Sequence, residues 1–90
     1  MSHTSHHKST LIARVRRLRG QMEAIERALE AEAPCAEVLN LAASVRGAAN
    51  GLMLELLEDH LLSHVVEAET DKERAAGATE LMEVMRRHMK

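Results

Sequence analysis

Apolar residues in the first third of the chain fall at Leu11, Val15, Leu18, Met22, Ile25 and Leu29, at spacings of 4, 3, 4, 3 and 4. Residues so spaced share one face of an α-helix, so the pattern predicts a helix with a heptad seam from about Ser5 to Glu30. Gly20 sits inside it at a cost of about 1 kcal/mol relative to alanine, which packing is expected to offset. The run AEAPC breaks the pattern, and Pro34 suits the first turn of a new helix. That second helix is predicted from about Pro34 to Val66. Val38, Leu41, Val45, Ala48 and Leu52 form one apolar face, and Leu54, Leu57, Leu61 and Val65 a second further on. Gly47 and Gly51, one turn apart, would let another helix approach closely. A helix of this length spans about 45 Å, more than the width of a small globule, so its two faces call for partners from other chains. TDKE, from Thr70 to Glu73, reads as a capping box, with Thr70 capping and Glu73 reaching back. The third helix is predicted from about Asp71 to Met89, with Ala78, Met82, Met85 and Met89 facing inward. No strand-like alternation, repeat or glycine-rich phosphate loop interrupts the pattern. The expected fold is all-α: a three-helix subunit whose uncovered seams predict a helix-bundle oligomer.

Composition narrows the function. Ninety residues are expected to make a single domain, 1–90. There is no apolar run long enough for a membrane span and no secretion signal, so a cytoplasmic protein without membrane partners is expected. The one cysteine, Cys35, forbids an intrachain disulfide and suits a reducing compartment. Phe, Tyr and Trp are all absent, which argues against single-strand nucleic-acid binding by base stacking. Net charge is −2, but its distribution matters more. Lys8, Arg14, Arg16, Arg17 and Arg19 occur between positions 8 and 20 with no acidic residue among them, a candidate phosphate-binding surface. No set of nucleophile, base and orienting group is evident, so an enzyme is not expected.

EDHLLSHVV, from Glu58 to Val66, carries His60 and His64 four residues apart, on one helix face. Cys35 stands near the positive end of the same helix's dipole, and thiolate is the ligand form of cysteine. In a straight helix the thiol and the imidazoles lie about 37 Å apart. An antiparallel partner helix would bring Cys35 of one subunit to His60 and His64 of another. Ser2 is small enough to expect loss of Met1, which leaves an α-amine beside His3 at the start of a flexible capping segment, residues 1–7. One thiolate with several nitrogens suits Ni(II), Co(II) or Zn(II). Five or six ligands from Ser2, His3, Cys35, His60 and His64 favour octahedral Ni(II) or Co(II) over tetrahedral Zn(II). Each feature also has a plainer reading. The histidine pair can be a solvated face, Cys35 a small buried residue and RVRRLRG an ordinary charged surface. His6, His7 and His88 read as surface residues. Asn50 either fixes an oligomer register or faces solvent.

Taken together, RVRRLRGQMEAIER, then Cys35, then VRGAANGLMLELLEDHLLSH resemble the CsoR/RcnR family of small bacterial metal- and formaldehyde-responsive transcriptional repressors. The resemblance covers nearly the whole chain. It implies a three-helix subunit, an antiparallel four-helix-bundle dimer and a dimer-of-dimers tetramer. It also implies that the metal-free protein binds double-stranded operator DNA and that the effector releases it. Four positions track the effector in the family, and here they read His3, Cys35, His60 and His64. A histidine at 64 departs from the copper sensors, which have cysteine there. Ser2 departs from the formaldehyde sensors, which have proline. The pattern resembles the nickel/cobalt branch, in which the terminal amine also binds and a metal efflux gene is derepressed. The resemblance places DNA contacts on Lys8, Arg14, Arg16, Arg17, Arg19 and Arg46, with shape and backbone readout dominating. Three other readings stand beside this one. They are a formaldehyde-responsive repressor using Cys35, a zinc- or copper-responsive member of the family, and a metal-buffering helical bundle without DNA binding.

Overall fold

A computed structural model describes residues 8–89. Three helices appear among them: α1 over Lys8–Glu30, α2 over Cys35–Leu61 and α3 over Asp71–His88. A five-residue π-helical turn, Leu62–Val66, continues α2 to the end predicted for the second helix. No strand occurs among the described residues. The predicted start near Ser5 lies outside the described residues, within which α1 runs from Lys8.

The helix ends follow local chemistry. α1 closes with Ala33 N–H donating to the Ala28 carbonyl at 2.9 Å and Glu32 N–H to that of Leu29 at 3.1 Å. This crossed pair is a Schellman motif. Glu32 takes the left-handed conformation, φ 54°, that the motif requires and that glycine adopts more readily. The Pro34 carbonyl then accepts from Glu37 N–H at 2.9 Å and starts α2. At α3 the Thr70 hydroxyl accepts from Glu73 N–H at 3.1 Å, so the expected cap forms. Only this half of the capping box is present.

The chain forms two compact units, one over Ser9–Leu54 and one that includes Glu55–Lys90. In the first, Gln21 Nε2 donates to Ser44 Oγ at 3.4 Å. Arg14 Nη1 lies 3.0 Å from where a Cβ on Gly51 would stand. Stepping back along α1 therefore advances along α2, the register of an antiparallel helical hairpin. The heptad seam divides between two environments. Leu11 is buried, and Leu18 and Ile25 are half-buried, whereas Val15, Met22 and Leu29 are exposed. One alternate set of seam positions packs within the chain and the other is left uncovered. Val38, Leu41, Val45, Ala48 and Leu52 are all half-buried, as their spacing predicts. Asn50 faces solvent.

Two expectations for the glycines change. Among the described residues nothing lies within 4 Å of a Cβ placed on Gly20 or Gly47, so no packing among them offsets Gly20. Gly51 is approached by an arginine side chain rather than a helix backbone. The close backbone approach occurs instead in the second unit, at Gly77, where an added Cβ would stand 2.8 Å from the His64 carbonyl carbon and from its Cβ. This also changes the inward face of α3. Gly77 is buried, and Arg74, Ala78 and Leu81 are half-buried beside it. Met82, Met85 and Met89, expected to point inward, are exposed. A residue without a Cβ gives the shortest distance between two helices, so the packed face of α3 centres on Gly77 and turns the methionines away.

Gly77→Ala is therefore expected to destabilise the protein by roughly 1–3 kcal/mol, the usual cost of overpacking a tight contact. Gly20→Ala should stabilise it by about 0.5–1 kcal/mol through helix propensity. Urea denaturation with an unchanged slope checks both, and equal shifts in the midpoint would contradict the contrast.

Candidate functional site

The histidine pair lies where α2 passes into the π turn. Glu67 N–H donates to the Leu62 carbonyl at 2.9 Å, the i to i−5 bond of a π turn. His60 is in the last turn of α2 and His64 is in the π turn. Their ring centroids are 4.7 Å apart and their planes are tilted by 35°. Both are half-buried, so the fully solvated reading of the pair does not hold. His60 Nε2 lies 3.0 Å from the carbonyl oxygen of Gly77. His64 lines a cavity of ≈ 260 Å³ with Ser63, Ala68, Glu73, Ala76, Gly77 and Glu80.

Cys35 is the first residue of α2 and is exposed, so it is not the small buried residue of the plainer reading. It stands at the opposite end of that helix from His60. Ser2 and His3 lie outside the described residues. Among the described residues no three His, Cys, Asp or Glu side chains come together to hold a metal. Among the described residues, one chain thus brings together two imidazoles, and Cys35 is not with them. Two nitrogens at this spacing fit a nickel, cobalt or zinc ion if further donors arrive from elsewhere.

Asp59 is 0% exposed, and neither carboxylate oxygen has a hydrogen-bond partner. Such a group is costly without a donor, by several kcal/mol in an apolar setting. It stands next to His60 in sequence, inside EDHLLSHVV. An acid inside an apolar helical run was the available signal. Arg74 and Gly77 were missed as well. Arg74 Nε donates to the Val65 carbonyl at 3.1 Å and Nη2 to that of Ala68 at 2.9 Å. Its Nη1 reaches the exposed carboxylate of Asp71 at 2.7 Å, an ion pair of small weight in water.

The basic residues of α1 are exposed, but they do not form one stripe. At 100° per residue, Arg14 and Arg17 share one face while Lys8, Arg16 and Arg19 share another. Arg14 and Arg17 line a groove of ≈ 520 Å³ with Thr10, Ala13, Gln21, Ser44, Gly47 and Ala48. The buried Oε1 of Gln21 has no hydrogen-bond partner there. Arg46 is exposed and borders a separate cavity with Leu39, Ala42 and Ala43. No helix among the described residues is long and apolar enough to cross a membrane.

Comparison with known proteins fits this arrangement. The family described as metal-sensitive transcriptional repressor matches residues 7–87. An uncharacterised protein encoded in the bioA 5′ region of Serratia marcescens is 48% identical over the whole of both chains. The transcriptional repressor RcnR of Citrobacter koseri is 36% identical, again over the whole of both. Among solved structures, a variant of the formaldehyde-responsive regulator FrmR from Salmonella enterica serovar Typhimurium superposes with a TM-score of 0.87 at 45% identity. That match covers 97% of this chain and 99% of the other. With its all-α fold and its paired imidazoles, the chain belongs to the family of metal-sensitive transcriptional repressors.

Proposed function

We propose that this protein is a repressor whose metal-free form binds operator DNA and whose DNA-free form is favoured by Ni(II) or Co(II), so that the metal derepresses an efflux gene. The observation that carries the effector is the His60–His64 pair, half-buried with ring centroids 4.7 Å apart at the end of α2. Two imidazoles with one thiolate and a terminal amine form a nitrogen-rich borderline set, which suits these ions better than Cu(I). Cys35 stands at the far end of α2, so its contribution comes from a second subunit lying antiparallel. The uncovered half of the α1 seam, Val15, Met22 and Leu29, supports that assembly, as do exposed Leu54 and Leu61 on α2. A dimer of such dimers completes the tetramer, with each metal site shared between subunits.

The full chain, 1–90, acts as one sensing and DNA-binding domain. The terminal amine of Ser2 and the ring of His3 close the site from residues 1–7. Lys8, Arg14, Arg16, Arg17, Arg19 and Arg46 neutralise phosphates on two faces of the assembly. When the segment before α1 joins His60 and His64, α1 is constrained and its arginines no longer match the DNA. The coupling is reciprocal: DNA weakens metal binding by the factor by which metal weakens DNA binding, typically about 1–3 kcal/mol per linked pair of sites.

A second reading has its own support. The solved relative is named a formaldehyde-responsive regulator, and Cys35 is an exposed thiol open to an aldehyde. His64 separates the two, because a metal needs its nitrogen and a thiol-centred response does not.

Arg17→Ala should weaken binding to the DNA upstream of its own gene and lower the slope of log affinity against log salt by about one. Its cobalt affinity should be unchanged. Gel shifts over a salt series check this, and wild-type DNA affinity would remove the α1 groove from the interface. Cys35→Ala should still repress but lose the response to nickel and cobalt. His64→Ala should lose the metal response as well. If His64→Ala still responds to formaldehyde at wild-type level while neither variant changes the response to metal, the second reading replaces the first.

A further inference from the structure

Several contacts between α3 and the end of α2 use backbone on at least one side, and they lie around the histidine pair. The Gly77 carbonyl lies 3.0 Å from His60 Nε2. The backbone of Gly77 lies against His64 so closely that a Cβ would collide with the His64 main chain. Arg74, one turn earlier on α3, holds the carbonyls of Val65 and Ala68, which flank the end of the π turn that carries His64. A carbonyl can only accept, so the neutral His60 ring carries its proton on Nε2 and its lone pair on Nδ1. A π turn widens the helix and changes which carbonyls are satisfied internally, and here the Val65 carbonyl is taken by the guanidinium.

We propose that Arg74 and Gly77 are positioning residues for the metal site: α3 braces the end of α2 so that His60 and His64 are preset in orientation, and His60 in tautomer, before any ion arrives. The proposal rests on the reading that His60 and His64 bind the effector. Neither Arg74 nor Gly77 contributes a ligand. Gly77 supplies the acceptor that orients His60, and its missing Cβ lets α3 come near enough to do so. Arg74 caps two carbonyls at the end of the π turn and keeps α3 in register with it. Groups that hold the second nitrogen of a metal-binding histidine typically change metal affinity by about 10–100-fold when they are lost. The brace also predicts that α3 feels the occupancy of the site directly, through a hydrogen bond to the far nitrogen of one ligand.

The test uses the full chain, labelled with ¹⁵N-histidine and free of metal, at a pH where the rings are neutral. Long-range ¹⁵N–¹H correlation should show His60 as a single Nε2–H tautomer. Its ring proton should exchange with water several-fold more slowly than that of exposed His88. Arg74→Met keeps the stem and removes the donors. It should speed exchange at His60 but not at His88, and weaken Co(II) affinity by about tenfold with helix content unchanged. Arg74→Lys, which retains donors, should recover part of both. His60 protonated on Nδ1, or exchanging as fast as His88 in the wild type, overturns the brace without the need for a variant. Wild-type exchange and cobalt affinity in Arg74→Met overturn the part assigned to Arg74. Absence of Co(II) binding in the wild-type protein would instead overturn the metal reading, whatever the His60 tautomer.

Discussion

The close approach of α3 to the end of α2 at Gly77 is the contact on which the candidate site depends. Nothing larger than glycine fits there, because an added Cβ would meet the main chain of His64. The same residue offers the carbonyl that faces His60 Nε2 at 3.0 Å. Helix packing and the orientation of the His60 ring therefore share one position. Arg74 extends the contact by a turn, holding two carbonyls near the end of the π turn. The two imidazoles project from a region where main-chain acceptors are engaged by side chains.

A second constraint lies in what one chain leaves uncovered. Leu11 is the only buried hydrophobic residue among those described, and large apolar side chains are exposed on all three helices. The α1 seam shows the rule most clearly, since Leu11, Leu18 and Ile25 turn inward while Val15, Met22 and Leu29 do not. A patch of this kind on a small protein marks an interaction surface. The proposed assembly uses it twice, to cover the seam and to carry Cys35 to the histidines of another subunit. Ligand sharing and subunit association then become one event, which suits a switch whose output is the fit of a multi-subunit surface to DNA.

Much of the fold could be read from spacing. The C-terminal end of α1, the ends of α3, the start of α2 near Pro34 and the Thr70 cap all follow from periodicity and capping chemistry, which are local. The histidine pair was legible for the same reason, because residues four apart on a helix must be neighbours. Gly77 was not. In sequence it is a mild weakness in a helix, and only the approach of a second backbone gives it a role. The methionines of α3 were misplaced because apolar character shows that a residue seeks cover but not whether its own chain provides it. The full burial of Asp59 is not legible in sequence, because burial of a single acid depends on distant neighbours. The division of the α1 arginines between two faces was legible in principle from the 100° step, since Arg16 lies far around the helix from Arg14 and Arg17. The ligands proposed from residues 2 and 3 lie outside the described part of the chain.

The most direct measurement is a Co(II) titration of the reduced, metal-free protein with Met1 removed, followed by absorption spectroscopy. The account predicts a saturable thiolate-to-metal charge-transfer band with weak ligand-field bands, which reports Cys35 and nitrogen donors in a five- or six-coordinate site. Strong ligand-field bands would mean a tetrahedral site and contradict a nickel- and cobalt-adapted ligand set. Absence of any charge-transfer band would leave Cys35 outside the metal site and contradict the shared site itself.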